Sequence, residues 1–358
     1  MQEIKLLKGN EVVALAAIRC GADGYFGYPI TPQSEVMETL MAEKPWETTG
    51  MVVLQAESET SSINMIYGGA ATGKRVMTSS SSPGLSLMCE GLSYLAGAEL
   101  PCLIVDVARG GPGLGSIQAA QSDYFQLVKG GGHGDYKLLV LAPNSVQEMN
   151  DFADLGFELA FKYRIPAVIL SDGIIGQMME KVSLSPIKPR RTEEEIAAEC
   201  PWATTGRKAS RGKANLANSL FLDSADLEAH NLHLQAKYRE IEKNEVRYEA
   251  IEVEDAEYVM VAYGTSSRIC MKVVEDLRAE GMKVGLIRPI TLFPFPTEII
   301  AQTAEHAKAI LSVEMSAGQM VEDVRLAAQN RCRVEHYGRY GGVVHSPAEV
   351  AEALKNLM

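Results

Sequence analysis

Closely spaced cysteines are missing from this chain. Its six (Cys20, Cys89, Cys102, Cys200, Cys270 and Cys332) are scattered, with no C-x-x-C pair. Iron–sulfur clusters and structural zinc need clustered thiolates, so neither is expected here and no metal ligand is assigned. Each cysteine reads instead as a small buried apolar residue. Excess positive charge is missing too. Against 46 acidic residues stand 34 basic ones, leaving −12, and no broad field exists to hold nucleic acid or an anionic membrane. No apolar run approaches the roughly 18–20 residues that span a bilayer. The opening MQEIKLLKGNEVV lacks the apolar core of a secretory signal. A cytoplasmic protein without membrane or nucleic-acid partners is the expectation.

What is present is a chain of 358 residues, 46% apolar and 22% charged, large enough for two domains and a real core. In its first half apolar runs alternate with helical stretches. Strands are predicted over 51–54, 75–78, 102–107, 138–141 and 167–170, and helices over 11–19, 34–43, 57–67, 85–98 and 146–163. Such alternation argues for a mostly parallel sheet covered on both faces. KPRRTEEEIAAE, GRKASRGKANLANS and AKYREIEKNEVRYEAIE then form a polar stretch without strand signals, read as a connector with one or two solvated helices. The alternation resumes with EYVMVAYGTSSR, a helix over 269–280 and KVGLIRPITLFPFP, read as one strand ended by prolines. HAKAILSVEMSAGQM, a helix and RCRVEHYG complete a second, smaller α/β unit.

Three places carry candidate chemistry. GADGYFGYPITPQSE (21–35) reads as a tight turn in which Pro29 and Pro32 fix φ and remove donors. It holds Thr31 in one place, either as the cap of a helix beginning near Pro32 or with its hydroxyl in a site. VVLQAESETSS (52–62) leads from a strand into Glu57 and Glu59. Both acids could merely complement a helix N-terminus; one, buried and aimed at a heterocycle nitrogen, could share a proton with it. LIVDVARGGPGLGS (103–116) sets Arg109 between a strand and a Gly-rich loop. There a guanidinium can grip a carboxylate through two parallel hydrogen bonds, unless it is simply solvated.

Other patterns fail on their own terms. GGAATGKR (68–75) has the spacing of a phosphate loop, but Arg75 stands where the magnesium-binding Ser or Thr belongs, after residues that read as helix. GGPGLG does not fit the dinucleotide fingerprint. AYGTSSR (262–268) is either an anion cradle at a helix start or a capping cluster. His230 and His233 lack a third ligand and read as solvated helix side chains.

Taken together, GYPITPQSE, AESETSSINMIYGGAATGKRVMTSSSSPGLSLMCEGLSYL, VDVARGGPGLG, IRPITLFPFP and VEMSAGQM resemble the α subunit of the multi-subunit 2-oxoacid:ferredoxin oxidoreductases. The likeness is closest to the branched-chain type that acts on 3-methyl-2-oxobutanoate. It covers nearly the whole chain and is weakest in the connector. It implies a doubly wound α/β domain of the thiamine-diphosphate-binding, pyrimidine-side type over 1–185, a helical connector over 186–250, and a transketolase-C-terminal-like α/β domain over 251–358.

Carried over by motif, the resemblance makes Glu59 the partner of the cofactor's pyrimidine, in preference to Glu57. It places Thr31 and Pro29 at the cofactor, and makes Thr31 and Arg109 substrate-binding residues. The family's diphosphate and magnesium motif, G-D-G followed by an Asn pair, is absent: Gly134-Asp135 runs into Tyr136, and Asp172-Gly173 follows Ser171. The resemblance therefore implies half a site. A β subunit would hold the diphosphate and Mg2+, iron–sulfur clusters would sit on γ and ferredoxin-like subunits, and the hetero-oligomer would use CoA, ferredoxin and a 2-oxoacid. The rivals are a sibling acting on 2-oxoglutarate or pyruvate, a non-catalytic scaffold subunit, and a free-standing nucleotide-binding protein.

Overall fold

Strands that are apolar along their length are buried on both faces, as a parallel sheet covered by helices requires. Cys102–Ala108 and Pro166–Asp172 each bury all seven residues and pair in parallel from Cys102 opposite Pro166 to Ala108 opposite Asp172. They form the middle of a computed structural model that describes residues 3–206 and 212–358. The first two residues of the N-terminal stretch, and residues 207–211 within the polar connector, lie outside the described residues.

The first unit runs β1 (Ile4–Lys8), α1 (Gly9–Arg19), β2 (Gly24–Gly27), α2 (Ser34–Glu43), α3 (Pro45–Thr48), β3 (Val52–Gln55), α4 (Glu59–Ala71), β4 (Val76–Ser80), α5 (Ser82–Gly97) and β5 (Cys102–Ala108). A π-helical turn (Phe125–Gly130), β6 (Leu139–Leu141), α6 (Val146–Tyr163), β7 (Pro166–Asp172), α7 (Gly173–Gln177) and β8 (Met179–Ser183) follow. α8 (Glu193–Glu199) and α9 (Ser224–Asn244) lie in the connector. The remainder is β9 (Tyr248–Ile251), β10 (Tyr258–Val261), α10 (Gly264–Ala279), β11 (Val284–Pro289), β12 (Thr291–Phe293), α11 (Thr297–Thr303), β13 (Ala309–Glu314), α12 (Met320–Ala328), β14 (Arg333–Gly338) and α13 (Pro347–Lys355).

A seven-stranded sheet has the order β12-β6-β7-β5-β4-β2-β3, parallel except for β12. A five-stranded sheet has the order β14-β13-β10-β11-β9, parallel except for β9, and β1 pairs antiparallel with β8. The fold is thus α/β with parallel-dominated sheets.

Several expectations are corrected. GADGYFG is not all turn: Gly24–Gly27 is an inner strand flanked by β3 and β4, and the fully buried Tyr25 donates to or accepts from Ser79 Oγ at 2.8 Å. Its glycines hid a strand whose partners lie far along the chain. The connector's end does hold a strand, β9. It is a mostly exposed edge strand, so its polar composition masked it. KVGLIRPITLFPFP is two strands. β11 stays in the second sheet, while β12 crosses to pair with β6 of the first, and Ala142 N–H donates to Ile290 C=O at 2.7 Å at the bend.

Polar contacts reinforce that crossing. Arg288 of β11 is buried (1% exposed) and donates through Nη1 to Glu148 Oε1 of α6 at 2.9 Å and to Glu249 Oε2 at 3.0 Å; its Nη2 also pairs with Glu148. The AYGTSSR cluster does cradle an anion, but one from this chain. Asp172 at the end of β7 accepts from the Thr265 N–H at 3.2 Å and its hydroxyl at 2.8 Å, and also caps α7. Gly68 and Gly69 lie inside α4, which disposes of the phosphate-loop spacing. Four of the six free cysteines are buried; Cys89 and Cys332 are half-buried. His230 Nε2 meets Gly97 C=O at 2.7 Å and His233 Nε2 meets Glu99 at 3.0 Å, so both tie α9 to the first unit; His230 is half-buried there, while His233 stays exposed to solvent. Among the described residues no cluster of His, Cys, Asp or Glu could hold a metal, and no helix is long and apolar enough to cross a membrane.

Near the C-terminus, His345 is buried with neither ring nitrogen partnered among the described residues. Burial pushes its pKa down to about 4, against the opposing pull of Glu349. The unfolded chain therefore binds a proton between pH ~6.5 and about 4 that the folded chain does not. Stability from this residue is complete above ~6.5 and is lost as pH falls through that window, by on the order of 2–3 kcal/mol. Urea melts at pH 7 and pH 5 should show a smaller drop for His345→Leu than for the wild type; equal drops would refute the assignment.

Candidate active site

Parallel strands deliver their C-terminal ends to one edge, and a crevice opens where the strand order reverses. In the seven-stranded sheet the chain steps outward from β2 to β3, then returns across β2 to β4 and β5, so the reversal lies between β2 and β4. Four loops at this edge carry the candidates. Thr31 follows β2, Glu59 opens α4 after β3, residues 82–84 open α5 after β4, and Arg109 follows β5.

The loop between β2 and α2 has two prolines without N–H groups, so its order depends on its carbonyls. Tyr28 C=O accepts from Gln33 Nε2 at 3.1 Å, and Thr31 C=O from Arg109 Nη1 at 2.8 Å. Pro32 C=O accepts from Asn10 Nδ2 at 2.7 Å and Gln177 Nε2 at 3.1 Å. Gln33, fully buried, also accepts from Ser79 Oγ at 2.6 Å. Thr31 is not a cap, because α2 begins at Ser34 with Gln33 in the cap position. Pinned from beneath, the loop leaves Pro29 and Thr31 exposed.

The two glutamates part company. Ser58 is the N-cap of α4, its hydroxyl accepting from Ser61 N–H at 3.2 Å, so the helix starts at Glu59 and not at Glu57. Glu57 faces solvent, whereas Glu59 is only 7% exposed and packs against α5 where that helix is bare. A Cβ on Gly84 would lie 2.6 Å from Glu59 Oε1 and 2.3 Å from Ser80 Oγ, so only glycine leaves room for the carboxylate. No described residue donates a hydrogen bond to the Glu59 carboxylate, and Ser80 Oγ beside it is also unpartnered. Buried polar atoms are nearly always satisfied, so the orphaned Ser80 Oγ beside the Glu59 carboxylate marks a place shaped for a hydrogen-bonding group from elsewhere.

Arg109 is buried too (7% exposed), and its fork is partly committed. Nη1 holds Thr31 C=O, Nη2 donates to Leu114 C=O at 3.0 Å, and Nε has no partner. The side chain thus ties the Thr31 loop to the Gly-rich loop. It also lines a cleft of about 590 Å3 bounded by Ser82, Asp123, Met315, Gln319 and Tyr340. A second-unit loop closes over Gly110, where a Cβ would come within 2.6 Å of the Gly341 carbonyl carbon. A larger cleft of about 800 Å3, between the end of α9 and Lys137, touches none of Thr31, Glu59 or Arg109.

The family described as pyruvate flavodoxin/ferredoxin oxidoreductase, thiamine diphosphate-binding, matches residues 15–254, and pyruvate:ferredoxin oxidoreductase core domain II matches 256–350. This chain belongs to that family. It is 53% identical over 339 residues to the ketoisovalerate oxidoreductase subunit VorB of Methanothermobacter marburgensis, covering 94% of this chain and 93% of the relative. It is 34% identical over 370 residues to the 2-oxoglutarate synthase subunit KorA of Methanocaldococcus jannaschii, covering 98% and 99%.

Among solved structures, a 2-oxoglutarate:ferredoxin oxidoreductase from Magnetococcus marinus superposes with a TM-score of 0.87 at 27% identity, over 99% of this chain and 65% of that one. The chain therefore spans about two thirds of that larger polypeptide. A split-gene transketolase at 11% identity, TM-score 0.60, shares the fold over 98% of both chains.

The protein is accordingly an oxidoreductase subunit with a thiamine diphosphate-binding domain. The residues present fit that cofactor, because Glu59 is a buried carboxylate with no donor among the described residues, on the crevice edge of the sheet. Two side chains escaped the sequence reading altogether. Asp106 lies inside the buried strand β5, and Asp123 in the segment before the π-helical turn; both are buried, and Asp123 lies near Arg109. A lone acid within the run LIVDVA was a visible signal, whereas nothing in QSDY marked Asp123.

Proposed function

We propose that this chain activates thiamine diphosphate and grips the oxoacid in a complex converting 3-methyl-2-oxobutanoate, CoA and oxidised ferredoxin to acyl-CoA, CO2 and reduced ferredoxin. One observation carries the reading: the unpartnered, buried Glu59 stands on the same sheet edge as the exposed Thr31 and the Arg109 that holds it. The branched-chain assignment rests on greater identity to the VorB subunits than to the KorA subunits.

Thiamine diphosphate, when bound, supplies a nucleophilic carbon and an electron sink for decarboxylation. Glu59, buried at the start of α4 on the crevice edge, would hold the pyrimidine by sharing a proton with one of its ring nitrogens. Pro29, exposed on the loop after β2, would stand at the cofactor. Thr31 offers its hydroxyl to the substrate carbonyl oxygen as charge develops there. Arg109, with N–H groups left over from Thr31 and Leu114, pairs with the substrate carboxylate.

Diphosphate and Mg2+ fall to a β subunit, since no G-D-G motif with an Asn pair stands in this chain. Iron–sulfur clusters fall to γ and ferredoxin-like subunits. A partner on this face also accounts for the solvent-facing apolar side chains of Val52 and Leu54 on the edge strand β3 and of Leu87 on α5.

The test is turnover by the complex assembled with its partner subunits. Rates should be highest with 3-methyl-2-oxobutanoate and much lower with 2-oxoglutarate or pyruvate. A preference for either rival would overturn the substrate assignment, and turnover by partners without this chain would leave it a scaffold. Arg109→Ala should raise the oxoacid KM by about 30- to 900-fold, equivalent to ~2–4 kcal/mol of lost binding. An unchanged KM would remove Arg109 from the substrate.

A further inference from the structure

Asp106 is the one charged residue in a strand whose seven residues are all buried, and among the described residues its carboxylate has no well-formed hydrogen bond, only a weak pull from the Ser82 backbone N–H. An ionised carboxylate cannot remain there unpaired, since its desolvation costs several kcal/mol. The group it faces is a second acid, Asp123, 4% exposed. Asp123 has its own partners. Oδ2 accepts from the Ser82 hydroxyl and Oδ1 from Gln126 Nε2 at 2.8 Å. Ser82 Oγ in turn accepts from the Arg109 N–H at 2.9 Å. A proton on Asp106 turns the contact between two acids into a hydrogen bond, and gives Asp106 the partner it otherwise lacks.

We propose that Asp106 and Asp123 share one proton and act as a single unit that positions Arg109 through Ser82. The chain of contacts runs from Asp106 to Asp123, to the Ser82 hydroxyl, to the backbone N–H of Arg109. Burial and the neighbouring Asp123 hold the Asp106 carboxyl well above the ordinary aspartate range, against the weaker pull of the Ser82 backbone N–H. Burial also raises Asp123, against the pull of Ser82, Asp106, Gln126 and Arg109. The titratable and charged groups facing the pair are Arg109 beyond β5, Cys89 on α5 and Tyr263 at the start of α10. Burial raises the Cys89 thiol and the Tyr263 phenol, so neither competes for the proton at neutral pH.

The unit then carries one negative charge beneath the Arg109 backbone. Losing its proton at alkaline pH sets two carboxylates against each other. Gaining a second at acid pH weakens the acceptor that holds Ser82. Either change releases the backbone from which the Arg109 fork projects. Asp106 and Asp123 are positioning residues: neither is placed at the substrate.

The inference rests on Arg109 gripping the oxoacid, so the experiment separates the two ideas. In the assembled complex, infrared difference spectra between neutral and alkaline pH should show a protonated carboxyl band that is lost in Asp106→Asn. Asp106→Ala and Asp123→Asn should each raise the oxoacid KM tenfold or more, with kcat changed less. Asp106→Asn, which mimics the protonated acid, should restore most of what Asp106→Ala loses and flatten the alkaline limb of kcat/KM.

Absence of the band, or superimposable pH profiles for wild type and Asp106→Asn, overturns the shared proton. Failure of Asp106→Asn to fold overturns it as well, because a neutral amide should suit the site. If Arg109→Ala moves KM and Asp123→Asn does not, positioning through Ser82 is wrong. If neither moves KM, the grip on the substrate fails instead, and positioning of the substrate's anchor falls with it.

Discussion

Glu59→Gln should lower kcat/KM of the assembled complex by about 10²- to 10⁴-fold, the range over which a positioned acid or base contributes. Glutamine keeps the shape and one carbonyl oxygen but cannot take up a proton. The side chain is 7% exposed and packed against the bare backbone of Gly84, so the replacement fits without moving α5. It also removes a buried carboxylate that no described residue bonds, so the thermal melt should stay close to that of wild type. The control is Glu57→Gln, which alters an exposed side chain and should leave turnover unchanged. Oxoacid-dependent reduction of the electron acceptor measures both. Full turnover by Glu59→Gln, or equal losses for the two variants, would end the assignment of the pyrimidine partner.

Glu148→Ala should destabilise the chain by roughly 3–5 kcal/mol, because it breaks a buried ion pair and strands the cation. Arg288 is 1% exposed and relies on Glu148 for hydrogen bonds to both terminal nitrogens, leaving the half-exposed Glu249 as its one carboxylate, with the Ala142 carbonyl at 3.3 Å, when Glu148 is gone. Glu148 also accepts the Asn144 N–H at 2.8 Å and so orders the turn into α6. The pair joins α6 of the first unit to β11 of the second, so chemical unfolding of the variant should separate into two transitions. Arg288→Met combined with Glu148→Leu removes both charges and should cost less than Glu148→Ala alone. A single variant within 1 kcal/mol of wild type would show that the pair does not hold the units together.

Most of the scaffold was legible because its strands announce themselves. Runs such as LIVDVA and AVIL are apolar on both faces, and in an α/β protein only a covered parallel strand has that pattern. Predicted segments failed where composition and environment disagree. β2 is Gly-rich yet interior, and β9 is polar because it lies on an exposed edge. The division of IRPITLFPFP between two sheets was not legible. Thr291 and Phe293 find their partners in β6, far along the chain, and local pattern carries no information about such a partner.

The site divides along the same line. Residue types and their places marked Thr31, Glu57, Glu59 and Arg109 as candidates, because open sheets build sites where strands or turns feed helices, and the family resemblance chose Glu59 over Glu57 and gave the others their roles. Sequence alone also determined that the chain lacks the clustered thiolates of a redox centre and the G-D-G motif for a diphosphate. Tertiary structure decided which glutamate is buried, since that depends on a bare Gly84 meeting the start of α4. It decided that Arg109 spends two donors on carbonyls, and that Asp106 meets Asp123. These are contacts between distant segments, made only when β2, β4 and β5 lie side by side, and no local propensity encodes them.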